Sequence, residues 1–392
     1  MKKLGVCVVY NNNNYGSMLQ SFATQKVLED LKVTFEVIRY KKKKSPIFIL
    51  KSIPRLINPI IISDKYLLVQ KKIQLKMRKD LKDLEIIRCK MFDEFREKYF
   101  KNYSPIYYGY RELVKSTEKY DAFLVGSDQL WSPSGLPTNF YNLIFVPDNK
   151  PKISYASSFG VKKIPFYQVR RTRNYLNRIE SISVRENSGQ SIVKELTGRD
   201  IPVVVDPTLL YNQSDWLRAI KDETICDGPY IFAYFLGANK LHREEVRRLS
   251  NAIGMKIVTI RHMDQYVKAD ENFGDCSPYN IGPTEFVNLI RHASFVCTDS
   301  FHGSVFSILH HKKFITFSRY SENAIDSKNS RIDSILKNLE LESRKYNSEF
   351  IQNIQRDIDY KKVDILLENF REQSKSYLLS NLKSKGLLKN EN

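Results

Sequence analysis

LGVCVVYNNNNYGSMLQSFATQKVLEDLKVTFEVIRY, residues Leu4 to Tyr40, is the stretch that decides the fold. Leu4 to Tyr10 is an apolar run of strand length, and Phe35 to Tyr40 is a second. Between them, from about Ser17, the residues Leu19, Phe22, Ala23, Val27, Leu28 and Leu31 recur at helical spacing. Strand, helix, strand is a βαβ unit, which implies a parallel sheet with helices on its faces. Lys2 and Lys3 precede the first run, but the run is too short for a signal peptide and breaks at once into Asn11 to Asn14.

The alternation continues outward. Ala122 to Gly126, Ile153 to Ala156, Ser181 to Arg185 and Val203 to Asp206 read as further strands, with a helix at Leu84–Tyr99. A first domain over 1–212 results, interrupted by an insertion at 41–82. The polar stretch Asn212 to Gly228 leads into a second series over 228–345, with strands at Tyr230, Lys256, Ser294 and Phe314. A helix is expected over Ser304 to His311. The segment 351–385 is amphipathic, with Ile354, Ile358, Ile365, Leu366, Phe370 and Leu378 on one side. A chain of 392 residues exceeds what one core serves. The expected fold is α/β, two doubly wound domains in series with the ligand in the cleft between them.

Composition narrows the class. With 42% hydrophobic and 27% charged residues the chain is globular. Cys7, Cys89, Cys226, Cys276 and Cys297 stand far apart, so neither a disulfide framework nor a metal cluster is expected, and a cytoplasmic location is. No run of about 18 apolar residues is present. The net charge of +19 is concentrated: thirteen Lys/Arg face only Asp64 and Asp80 between Lys41 and Lys82. This insertion has apolar segments at Ile47–Leu50 and Leu56–Ile62, broken by Lys51, Arg55 and three prolines. It is expected to lie on the inner face of an anionic membrane, with Lys41 to Lys44 and Lys71, Lys72, Lys76, Arg78 and Lys79 meeting the headgroups. No helix-turn-helix, RNA-binding sheet or zinc-finger signature points to nucleic acid.

Four strand-end segments carry candidate chemistry. Gly16, Ser17 and Gln20 open the first helix, where free N–H groups meet an anion or hydroxyl; a capped helix start is the plainer reading. Asp128, Gln129 and Trp131 offer polar groups and an aromatic face suited to a sugar, or else a cap and a core tryptophan. Arg185 ends a buried strand and needs an acidic partner or an anionic ligand; Glu186 beside it supplies the alternative of a structural pair. In Thr298-Asp299-Ser300-Phe301-His302-Gly303-Ser304, His302 stands between a strand and a helix N-terminus, positioned to bind phosphate or relay a proton, or to cap the helix.

Together NYGSMLQSFA, VGSDQLW, SYASSFG, SVRENS, VVDPTLL and TDSFHG resemble the polysaccharide pyruvyltransferase family over nearly the whole chain. The resemblance implies two Rossmann-like domains in a glycosyltransferase-B-like arrangement. It implies transfer of the enolpyruvyl unit of phosphoenolpyruvate to a sugar, giving a cyclic pyruvate ketal, with phosphoenolpyruvate a substrate and no cofactor required. Arg185 and His302 match the family's donor-binding positions. Ser300 stands where many relatives have Arg, so Arg291, Arg319 or Arg331 must supply that charge, with Arg331 taken as the candidate. The expected donor site is Arg185, His302, Ser300, Gly303, Ser304 and Arg331; His302 and Asp128 are the catalytic candidates. Gly16, Ser17, Gln20, Asp128, Gln129 and Trp131 are expected to face a sugar or lipid-linked oligosaccharide acceptor. A sugar-nucleotide glycosyltransferase of the same fold, or a polyanion-binding scaffold, are the competing readings.

Overall fold

The computed structural model describes residues 2–43, 59–133, 139–262, 266–320 and 329–388. Two parallel sheets carry the chain. The first has the order β3-β2-β1-β4-β5, from β1 (Leu4–Cys7), β2 (Phe35–Lys41), β3 (Tyr103–Tyr108), β4 (Ala122–Gly126) and β5 (Lys152–Tyr155). The second has the order β7-β6-β8-β9, from β6 (Tyr230–Tyr234), β7 (Lys256–Thr259), β8 (Phe295–Thr298) and β9 (Lys313–Thr316). β1 and β4 are buried at every position, as central parallel strands covered on both faces must be.

Several expectations change. Ser181–Arg185 and Val203–Asp206 are not continuous strands; they extend the first sheet through isolated bridges, Ile153 to Ser181, Ser157 to Val184 and Val184 to Val203, and a few hydrogen bonds to β5. Pro202 has no N–H for a ladder, and Ser183 Oγ bonds the Ser154 carbonyl. β3 went unread because Pro105 lies within it, which an edge strand tolerates.

The insertion is also differently bounded. α1 (Tyr15–Asp30) is followed, after β2, by a hairpin of α2 (Pro59–Met77) and α3 (Lys79–Tyr99), so the basic stretch ends inside a helix. Ile47–Leu50 and Leu56 to Asn58 lie outside the described residues. Tyr66, Leu68, Val69, Ile73 and Met77 of α2 and Ile86 and Ile87 of α3 are exposed. Lys71 and Arg78, expected to meet headgroups, are instead paired with Glu85 and with Glu271 and Asp80.

The remaining helices are α4 (Tyr110–Ser116), α5 (Phe166–Asn177), α6 (Asn187–Thr197), α7 (Pro207–Leu210), α8 (Gln213–Ala219), α9 (Lys240–Ile253), α10 (Pro283–His292), α11 (Phe301–Leu309), α12 (Ser330–Asn338), α13 (Phe350–Gln355) and α14 (Tyr360–Ser384). The C-terminal amphipathic segment is thus two helices. Ile354 packs in the second half, α14 returns to the first, and Ile365 is exposed because the break between them resets the helical phase.

α1 forms the seam between the halves. Tyr15 stacks on Phe286 of α10 at 4.8 Å and donates its hydroxyl to the Ile281 carbonyl. Phe22 meets Trp216, which in turn meets Phe306 of α11. One apolar core therefore runs across both sheets, from Leu4 to Val296. α14 reinforces it: Leu378 and Leu382 enter this core, Arg371 donates to the Leu209 carbonyl, and the Val205 N–H donates to Ser374 Oγ.

Candidate functional site

Two helix N-termini meet across the seam. α1 starts behind Asn14, whose side chain accepts from the Ser17 N–H. α11 starts behind Ser300, whose Oγ accepts from the Gly303 N–H at 3.3 Å. Because α11 begins at Phe301, His302 lies in its first turn and not ahead of it, as the sequence had suggested. Gly16 lies directly against the His302 ring: a Cβ there would stand 2.6 Å from Cγ, 2.8 Å from Cε1 and nearer still to Nδ1. The imidazole's position, not a special φ, requires this glycine.

Asp206, at the Val-Val-Asp-Pro turn, is the hub. It is fully buried and accepts hydrogen bonds from Ser127 Oγ, Thr208 N and Oγ1, and Arg185 Nη1 at 2.5 Å. His302 Nε2 stands 3.6 Å from its other oxygen. Burial alone would raise the Asp206 pKa; the charges of His302 and Arg185 and their hydrogen-bonding neighbours hold it far below the ordinary carboxylate range. Sequence reasoning gave Asp206 no role, although an Asp-Pro closing a strand-like run was the available signal.

Asp128 closes the other side. Its φ of +71° puts a non-glycine residue in the left-handed region at the end of β4, strain of the kind that positions functional groups. One carboxylate oxygen accepts from Ser17 Oγ and the other from the Gln129 N–H, with Arg185 Nη2 3.9 Å away. Burial raises its pKa, but Arg185, His302, Ser17 and Arg331 outweigh that and lower it, so Asp128 is ionised at neutral pH.

The cations converge on Phe301. The Arg185 guanidinium lies 4.5 Å, and that of Arg331 5.7 Å, from its ring centroid. Arg331 makes no ion pair with any described residue, and desolvation together with the neighbouring Arg185 pushes its pKa down to about 9. Arg185 Nε and Nη2, Arg331 Nε and His302 Nε2 are buried and lack hydrogen-bond partners among the described residues. Buried N–H groups without a hydrogen bond are costly, and an anion would satisfy them alongside the ion pairs of Arg185 with Asp206 and Asp128. Of the alternatives for the charge missing at Ser300, Arg291 is bound to Asn288 and to carbonyls near α8, and Arg319 leans on Asp299; Arg331 alone stands beside Arg185.

Other expected site residues are placed elsewhere. Trp131 is 2% exposed and packs on Phe159 and Tyr175 with its indole N–H on the Tyr141 carbonyl, so it offers no face to a sugar. Gln20 is fully buried and bonds the Ser17 carbonyl within its own helix. Ser304 is spent on Thr316 and the Ser300 carbonyl, and Gly303 is tight against Thr298, where α11 packs on β8. The Ser300 hydroxyl is occupied as the helix cap. Gln129 lies against Gly160. Ser17 and Gly16 do stand in the cluster with Asp128 and His302. Among the described residues no group of three His, Cys, Asp or Glu is arranged to hold a metal.

Two parallel-sheet halves, joined where two helix N-termini meet, make a GT-B-like α/β fold. The family profile described as "Polysaccharide pyruvyl transferase" matches residues 14–322, and the chain belongs to that family. Among solved structures, the UDP-N-acetylglucosamine 2-epimerase of Rickettsia bellii is similar in fold, with a TM-score of 0.53 at 10% identity over 98% of each chain. The UDP-GlcNAc 2-epimerase of Neisseria meningitidis bound to UDP-GlcNAc gives 0.50 at 11% identity, over 95% of this chain and 100% of that one. At such identities the likeness is one of fold. No curated protein matches the sequence.

Proposed function

We propose that the chain transfers the enolpyruvyl unit of phosphoenolpyruvate to two hydroxyls of one sugar, forming a cyclic pyruvate ketal. The observation that carries this is the buried cluster of Arg185, Arg331 and His302 around Phe301, in which Arg185 Nε and Nη2 and Arg331 Nε lack hydrogen-bond partners among the described residues, an arrangement suited to a compact, multiply charged anion. Arg185 and Arg331 bind the donor's carboxylate and phosphate, and Arg331 supplies the charge absent at Ser300. His302 delivers a proton to C3 or holds the phosphate, making C2 electrophilic. Asp128, ionised and fixed by Ser17, orients the attacking hydroxyl. The first sugar oxygen bonds to C2, the C2–O bond to phosphate breaks, and the second oxygen completes the ketal. One hydroxyl proton ends on C3 and the other on the released phosphate.

The test is release of inorganic phosphate from phosphoenolpyruvate across a panel of saccharides, with sugar nucleotides run in parallel. Phosphate release that falls by roughly 100-fold in His302→Ala is expected. Nucleotide release from a sugar nucleotide, with none of phosphate from phosphoenolpyruvate, would assign the pocket to glycosyl transfer instead.

We further propose that the acceptor is lipid-linked and that the α2–α3 hairpin docks the protein on an anionic membrane. No helix among the described residues is long and apolar enough to cross a membrane. The exposed apolar side chains of α2 and α3 are interspersed with exposed Lys72, Lys76, Lys82 and Lys90, which supports interfacial binding. Sedimentation with anionic vesicles, lost at high salt and absent with neutral vesicles, is the expected result; equal binding to both removes the docking role.

A further inference from the structure

Because Trp131 is buried in the core, the face that receives the acceptor must be sought elsewhere. A groove of about 570 Å³ opens at the carboxyl ends of β1 and β2, within the range of about 300–1,000 Å³ usual for small-ligand clefts. Its walls carry the half-buried Tyr10 and Tyr103 with Arg39, Lys41 and Arg96, and the carboxylates Asp93 and Glu97; the Tyr40 ring packs on Phe140 on the other face of the sheet. Tyr10 and Tyr103 meet edge to face at 5.9 Å. Arg39 lies 5.1 Å over the Tyr103 ring with its Nε fixed by the Ser104 carbonyl. Arg96 is fixed by Asn13 Oδ1 and the Asn12 carbonyl and is paired with Asp93 at 2.6 Å. Aromatic bodies with polar tips, held rigid beside guanidinium donors, suit pyranose rings, whose apolar faces stack while their hydroxyls bond.

The groove and the reaction centre flank one loop. Tyr10 stands at one end of the loop Asn11 to Asn14, and Gly16 and Ser17, which touch His302 and Asp128, follow its other end. The opposite wall comes from α3, and Lys41 is the last residue of β2 before the basic insertion. A glycan reaching in from the insertion side would pass the tyrosines before its terminal sugar met Asp128.

We infer that this groove is a subsite for the hexopyranose units of the acceptor beyond the reacting sugar; the inference rests on the pyruvyl-transfer reading of the neighbouring pocket. The probes are chitotetraose and maltotetraose, followed by saturation-transfer NMR on the full chain with thermal unfolding as the folding control. At least one should bind the wild type at millimolar concentration. Tyr103→Ala should weaken it by about tenfold and Tyr103→Phe should restore it. Arg39→Gln, which takes the guanidinium off the Tyr103 ring, should also weaken it. Binding should persist in His302→Ala. Absence of binding by either probe, or binding unchanged in both Tyr103→Ala and Arg39→Gln, overturns the subsite. A wild type that binds the tetrasaccharide yet never releases phosphate from phosphoenolpyruvate overturns the pyruvyl reading and leaves the groove a glycan site.

Discussion

Gly16→Ala tests the meeting of the two helix N-termini most directly. Gly16 has no left-handed φ and sits in the first turn of α1, so alanine should favour the helix by up to about 1 kcal/mol. Against that, the new methyl would lie 2.6 Å from His302 Cγ, inside any real carbon contact, and the ring must move. Overpacking of this kind costs about 1–3 kcal/mol. The single variant should therefore lose roughly 0–3 kcal/mol, while the same change in a His302→Ala background should gain up to about 1 kcal/mol, because the ring is gone. Urea titration of the wild type, both single variants and the double variant gives the coupling, expected at about 1–3 kcal/mol. The displaced imidazole should also cost roughly 100-fold in phosphate release. Additivity within about 0.5 kcal/mol would refute the contact, and with it the idea that α1 sets the histidine's position.

Three further outcomes follow from the same geometry. Ser300→Arg removes the hydroxyl that caps α11, a loss of about 1 kcal/mol in thermal unfolding, and should lower turnover by crowding the cation pair; tighter phosphoenolpyruvate binding would instead mean that Arg331 does not fill the role. Arg331→Met removes a buried, unpaired cation, so the free protein should be as stable as wild type or more so, while the thermal shift given by phosphoenolpyruvate is lost. Asp206→Asn leaves Arg185 only the more distant Asp128 and should destabilise by about 3–5 kcal/mol. Asp206 has a depressed folded pKa, so its stabilisation is complete above the ordinary value of 3.8 and is lost as pH falls below it; the variant's acid unfolding should be shallower, and an unchanged acid limb would remove Asp206 as the hub.

The central strands were readable because burial on both faces writes itself as an unbroken apolar run, as in β1 and β4. Edge and bridge segments were not: Pro105 hides β3, and Ser183 and Pro202 turn two apparent strands into isolated contacts. The site was legible as strand-end motifs, since Gly16, Ser17, Asp128, Arg185 and His302 stand together in the fold. Which member of a motif faces the cleft was not legible. Trp131 and Gln20 sit one turn or less from working residues but point into packing, a matter of side-chain direction that spacing does not reveal. Phe301 reads as an ordinary core residue until two guanidinium groups are seen against it.

The return of α14 to the first half has a consequence for biosynthesis. During translation the segment carrying Val205 and Asp206 emerges long before Ser374 and Arg371, which hold it in place, and before Leu378 and Leu382, which complete the core beneath it. A nascent chain paused after the first domain would expose that apolar surface and lack the support for its central carboxylate. The molecule is thus not assembled one lobe at a time from the ribosome, and loss of even the last twenty or so residues should leave a chain that waits on chaperones without ever closing.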